Sequence, residues 1–106
     1  MSSTNAMVKL DLNNPVFQQS LFTLKKQSQL DCLRSLKKIS EMSWQMVYQD
    51  RGLHWEKISS ITPPTGIGQV YSIRITLSTR AIVFRDVEYM RFLGVFEDHD
   101  AAYGKK

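Results

Sequence analysis

The chain has 106 residues, 42% apolar and 23% charged, with a formal net charge of +4. That is the size and balance of one globular domain with a modest core, and the mild basic excess permits a nucleic acid partner without requiring one. One cysteine excludes an internal disulfide, one Cys and two His at no ligand spacing give no metal site, and no apolar run is long enough to span a membrane.

Residues 1–6 (MSSTNA) are polar and precede a second Met, which reads as a tag remnant or a disordered start, with a single domain over 7–106. No signal peptide is visible, so the cytoplasm is the expected compartment, with no membrane partner. Val8–Leu12 (VKLDL) alternates apolar and polar, the pattern of a short strand at the edge of a sheet or beside it. Asn14 is a good helix cap and Pro15 fits the first helical position. The helix is expected over Pro15–Lys26, with Phe17, Leu21 and Leu24 on one stripe. Ser28-x-x-Asp31 has the spacing of a capping box, so a second helix is expected to restart there. It carries Leu30, Leu33, Leu36 and Ile39 on one side and Arg34, Lys37 and Lys38 on the other. Cys32 falls in this pattern as a small semi-buried residue.

Ser43 caps a third, short helix whose apolar side is Trp44, Val47 and Tyr48. Gly52 reads as the glycine that ends it, with Leu53 folding back. Trp55 and Ile58 are expected in the core, with His54 and Lys57 pointing elsewhere. Residues 61–68 (ITPPTGIG) form a loop by composition. The last third reads as three strands: Gln69–Thr76, Arg80–Arg85 and Tyr89–Phe96, joined by short turns. The fold class is therefore α+β, a β-α-α-β-β-β order with an N-terminal strand and helices packed on an antiparallel sheet. One face lies under the helices. The other is partly open, and Ser72, Arg74 and Thr76 lie on whichever face Tyr71, Ile73 and Ile75 do not. Arg85 and Arg91 read as solvated or paired with Glu88, and Trp44, Trp55 and Tyr48 as core or partner contacts and not as rings for RNA stacking.

The segments VYSIRI, STRAIVF, FLGVF and DHDAAYGKK, with the opening VKLDLNNPVFQQSLFTL, resemble the RelE/ParE superfamily of bacterial toxins. Within it they look most like the HigB-like and RelE-like ribonucleases. The resemblance spans nearly all of Val8–Lys106. It implies a RelE-like fold and the toxin of a type II toxin-antitoxin system. Such a toxin is an mRNA endonuclease that works on the translating ribosome, uses no metal or cofactor, and is silenced by a cognate antitoxin protein. By position, Arg74 and Arg80 match the basic residues that grip the scissile phosphate, and Tyr103 matches a near-terminal tyrosine. His99 falls in the family's polar terminal segment. Two departures stand out. Ser72 replaces a lysine found in some members, and Glu97–Asp100 is more acidic than usual. Carboxylates there would repel a phosphate unless they face away or act as acid/base groups. The ParE branch, which shares this fold, inhibits DNA gyrase and needs no nuclease residues. A toxin fold without activity is a third reading.

RNA can be cleaved without metal when its own 2′-OH attacks the adjacent phosphate. That needs a base for the hydroxyl, positive charge for the phosphorane, and an acid for the leaving 5′-oxygen. Arginine holds two phosphate oxygens at once and stays charged, so Arg74 and Arg80 on neighbouring strands suit the second role. His99 suits proton transfer. Tyr103 or Tyr71 could stack a base. Lys57 and His54, before the loop, are candidate RNA contacts at the edge of the cleft.

Overall fold

A computed structural model describes residues 5–97. His99 and Tyr103 lie outside the described residues. Strand β1 (Lys9–Asp11) opens the domain, and the Asn14 side chain then caps α1 (Pro15–Thr23) by accepting from the Val16 and Phe17 amides at 2.8 and 3.4 Å. Helix α1 stops short of Lys26: Leu24 is already extended, and its amide returns to Leu21. Helix α2 (Lys26–Ser40) starts two residues before the capping-box serine, and its first turn has no side-chain cap. Ser28 donates instead to the Glu97 carboxylate at 2.5 Å, a bond across 69 residues that outcompetes the local one. Ser43 does cap α3 (Trp44–Gln49), accepting from the Met46 amide. The turn after α3 departs from the sequence reading. Asp50 holds the Leu53 amide at 2.8 Å, and the left-handed residue is His54 (φ 52), not Gly52.

Strands β2 (Glu56–Ile58), β3 (Val70–Arg74), β4 (Thr79–Asp86) and β5 (Tyr89–Glu97) complete a five-stranded sheet of order β1-β5-β4-β3-β2. Only the β1–β5 pair is parallel. The helices therefore carry the chain from one edge strand to the other across a single face. At three residues, β2 is too short to show alternation, and its stretch reads from sequence as core without a strand.

Phe17, Cys32, Leu36, Ile39, Trp44 and Val47 meet Ile73, Ala81, Val83, Met90, Phe92 and Val95 in the core. The larger aliphatic and Phe side chains among these contribute about 1.5–3 kcal/mol each by leaving water. Phe17 packs on Phe92 at 5.2 Å. Leu30 and Leu33 were expected on the buried side but are 41% and 56% exposed. Cys32, Leu36 and Ile39, spaced i, i+4, i+7, take the inward stripe, which leaves Leu30 and Leu33 rotated outward. Burial is complete for Cys32 and pushes its thiol up to about 11.

The face opposite the helices is half covered. Val70 and Ser72 lie on it yet are buried. The 59–69 loop folds back so that Pro64 and Ile67 face Phe84 and Leu93 across a small cavity of about 260 Å³. The far half of this face, at the β3–β4 turn, has no such cover among the described residues.

Candidate nucleic-acid interface

Alternation along β3 and β4 decides which side chains share the open face. Tyr71 pairs with Val83 and Ile73 with Ala81, on the side of the helices. Ser72 pairs with Ile82 and Arg74 with Arg80 on the other side. Phe96 continues the Arg74–Arg80 row onto β5, and Gly94 stands beside Ile82. A methyl group at Gly94 would meet nothing within 4 Å, so the sheet is hollow there. The result is a face on which two arginines hold paired positions, with one half-exposed aromatic ring at the rim and a small residue in the floor of the candidate cleft.

Arg74 has a buried Nε without a hydrogen-bond partner among the described residues. Buried polar atoms are normally paired, so such an atom marks a place where an anion would be welcome. The Arg74 amide donates to the Leu53 carbonyl at 2.7 Å. This bond pins the turn containing His54 beside the arginine row. His54 is held in the left-handed region, which costs a non-glycine residue roughly 1 kcal/mol or more. Its Nε2 lies 3.2 Å from the Glu56 carboxylate. Glu56 pairs with Ser72, so the His54–Glu56 pair lies on the arginine-bearing face, at its β2 edge.

The open face thus brings together Arg74, Arg80 and His54. It does not include Tyr71 and Lys57, which pair with each other on the helix side. A base stacked on Tyr71 would lie outside this cleft. Glu56 was missed from sequence: His54 sits in a left-handed turn before β2, so no strand periodicity marks the pair. Arg91 also behaves differently from expectation: it binds Asp11 and Asp86, while Glu88 pairs with Lys9. Hydrogen bonds to these two carboxylates raise the Arg91 pKa, and those from the Asn13 amide and Arg91 lower that of Asp11. Arg85 is engaged by the Val87 carbonyl, the Tyr48 hydroxyl and the Trp44 ring. Glu97, the first of the acidic terminal residues, pairs with Thr79 and bonds Ser28 on the helix side, so it faces away from the arginine row.

Among the described residues, no three His, Cys, Asp or Glu side chains cluster as a metal site. No described helix is long and apolar enough to cross a membrane.

The fold is thus an α+β sheet of this order, with helices on one face and paired arginines on the other. In the crystal structure of the archaeal RelE–RelB complex from Pyrococcus horikoshii OT3, one chain is similar to this protein. The two are 16% identical with a TM-score of 0.57, over 89% of this chain and 96% of that one. No family model and no curated protein matches the sequence. The property the two share is the fold.

Proposed function

We propose that this protein is the toxin of a type II toxin-antitoxin system, and that it stops translation by cutting mRNA on the ribosome without a metal. The reading rests on one observation above the others: the Arg74–Arg80 pair on the open face of a RelE-like sheet, with His54–Glu56 at its edge. The RelE–RelB complex supports a protein antitoxin as partner.

In this mechanism the scissile phosphate sits over Arg74 and Arg80. His54, oriented by Glu56, takes the proton of the 2′-OH. The freed oxygen attacks phosphorus, and the extra phosphorane charge falls on oxygens held by the two arginines. The P–O5′ bond then breaks, and a proton returns to the leaving 5′-oxygen. His99 or Tyr103 is the proposed donor for that step. The products are a 2′,3′-cyclic phosphate and a 5′-hydroxyl. Few acid/base groups are at hand, so much of the rate would come from positioning by the ribosome, which can be worth several kcal/mol.

The test is expression in bacteria followed by mapping of mRNA ends. Arrest with new 5′-hydroxyl ends in translated messages, reversed by a small acidic antitoxin, is the expected result. Arrest with translation intact and replication blocked would replace this reading with gyrase inhibition. Rapid cleavage of naked mRNA at low protein concentration would remove the ribosome from it.

A further inference from the structure

On the helix side of the sheet, at the end away from the arginine row, four aromatic rings form one cluster. Trp55 stacks on Tyr71 at 4.6 Å between ring centres. Tyr48 meets Trp55 at 5.6 Å and 65°, and Trp44 meets it at 5.5 Å and 85°. Trp44 is fully buried and Tyr48 is 41% exposed, so the cluster has a floor and an open rim. Beside it lies a cavity of about 650 Å³, lined by Tyr48, Trp55 and Tyr71, the glycine-rich end of the 59–69 loop, and the β4–β5 turn. That volume is in the usual range for a small-molecule site.

The charges at the rim decide the ligand. Arg85 lies 4.5 Å from the centre of the Trp44 ring and donates to the Tyr48 hydroxyl at 2.9 Å. Asp86 is neutralised by Arg91 at 2.9 Å. Lys57 is exposed and shares the face of Tyr71. Arg85 and Asp86 both line the cavity, and Lys57 adds an exposed positive charge on the face of Tyr71, so a cationic ligand of the kind that aromatic cages often hold is disfavoured. A flat heterocycle followed by a phosphate fits both the rings and Lys57. A proline-rich peptide would fit the rings but would bring no negative charge for Lys57.

We propose that this pocket is a second binding site, taking an unpaired nucleobase of single-stranded RNA on the Tyr48–Trp55 corner with its phosphate toward Lys57. The substrate class rests on the RNA reading above. The site itself is separate from the arginine row: Phe84 and Asp86 of the arginine-bearing face line the cavity at its far end, but Arg74 and Arg80 do not. It would hold RNA outside the cleavage cleft and fix which stretch of the strand reaches Arg74 and Arg80.

The chain has two tryptophans and both are in this cluster, so their emission reports directly on it. The probe is a 2′-O-methyl hexanucleotide, which lacks the attacking hydroxyl and cannot be cut by the proposed route. Saturable quenching is expected, weakened by salt and absent with an abasic strand of the same length. Gly68→Leu should weaken binding at least tenfold. Gly68 lines the cavity and lacks a positive φ, and a Cβ there meets nothing within 4 Å, so the variant should melt like the wild type. Should it not fold, Tyr48→Ala at the exposed rim replaces it, with the same expectation. An Arg74→Ala/Arg80→Ala protein should keep the quenching and lose cleavage. No saturable response, or one indifferent to Gly68→Leu in a folded protein, overturns the site whether or not mRNA is cut. A Gly68-sensitive response to a proline decapeptide but not to the oligonucleotide overturns it in favour of a peptide. If the response holds while mRNA is never cleaved, the pocket stands and the cleavage reading falls.

Discussion

Arg74 and Arg80 are direct cross-strand partners, two positive charges opposed on one face of the β3–β4 ladder. A guanidinium on each of two paired strand positions offers two forks for the oxygens of one phosphate. If they hold the phosphorane charge, Arg80→Ala should lower cleavage about 10²–10³-fold, the typical loss for one transition-state donor. Lysine at this position should rescue only in part, because it offers a point charge in place of a fork. Stability should stay within about 0.5 kcal/mol, as for most substitutions outside the core. Arg91→Ala should leave cleavage intact, since that side chain is occupied by Asp11 and Asp86. The comparison is one toxicity assay and one melting curve per variant. A folded, fully toxic Arg80→Ala protein would remove the cleft as the cleavage site.

His54 offers a separate check on the same cleft. As the base it should be needed for the rate and not for binding, so His54→Gln should lower kcat by about 10²–10⁴ with KM little changed. Glu56 acts through His54 at 3.2 Å, so Glu56→Gln should cost less and Glu56→Asp less still. Single-turnover cleavage on programmed ribosomes gives both constants. An equal rise in KM with kcat unchanged would reassign His54 to binding alone.

The meander and its arginine pair were legible because alternation marks Tyr71, Ile73 and Ile75, and short turns fix the pairing of neighbouring strands. The stripe of α1 was legible from the i, i+4, i+7 spacing of Phe17, Leu21 and Leu24. What failed to show depends on distant partners. Ser28 has the spacing of a cap, yet its hydroxyl goes to Glu97 on β5. Leu30 and Leu33 are as apolar as Leu36, and only the placement of Cys32 toward the sheet turns them out. The His54–Glu56 pair needs both the short β2 pairing and a left-handed His54, and neither has a local signal stronger than the neighbouring Gly52. The aromatic pocket brings together residues 48 to 87, which no window of sequence reveals.

Asp11 gives the pH dependence a sign. The Asn13 amide and the Arg91 guanidinium hold its carboxyl below the usual value of about 4. A carboxyl depressed in the folded state stabilises above its unfolded pKa, and that contribution is lost as pH falls through the folded pKa. The loss therefore begins near pH 4 and grows below it. Asp11→Asn should lower the urea midpoint at pH 7 and narrow the gap between pH 7 and pH 3. The side chain is 23% exposed beside a 35% exposed arginine, so solvent screening keeps the effect to about 1 kcal/mol or less. An unchanged gap between the two pH values would mean that another carboxylate, Asp50 beside Lys38 for example, carries the acid sensitivity.

The β4–β5 turn carries the last prediction. Asp86 pairs with Tyr89, so Val87 and Glu88 form a two-residue loop. Val87 has φ 58, while Glu88 is not in the left-handed region. Hairpins with a positive φ at the first loop residue favour glycine there, and a β-branched residue is among the least suited. The conformation is held from outside: Arg85 Nε donates to the Val87 carbonyl at 2.6 Å, and the next carbonyl, of Glu88, accepts from Trp44 Nε1 at 2.9 Å and from the Lys9 amide at 3.0 Å. These bonds use backbone atoms and survive a change of side chain. Val87 is 61% exposed, so its removal sacrifices little burial. Relief of roughly 1–3 kcal/mol of strain, less about 0.5–1 for the flexibility of glycine when unfolded, leaves a net gain of about 1 kcal/mol for Val87→Gly. In a domain of this size that is a rise of several degrees in Tm. Val87→Ala removes the branching but not the positive φ, and should gain less. The turn borders the aromatic pocket, so the nucleobase response of a stabilised Val87→Gly protein would also show whether the pocket depends on this strain. A Val87→Gly protein that melts below the wild type would mean that the bonds from Arg85, Trp44 and Lys9 do not suffice to hold the turn.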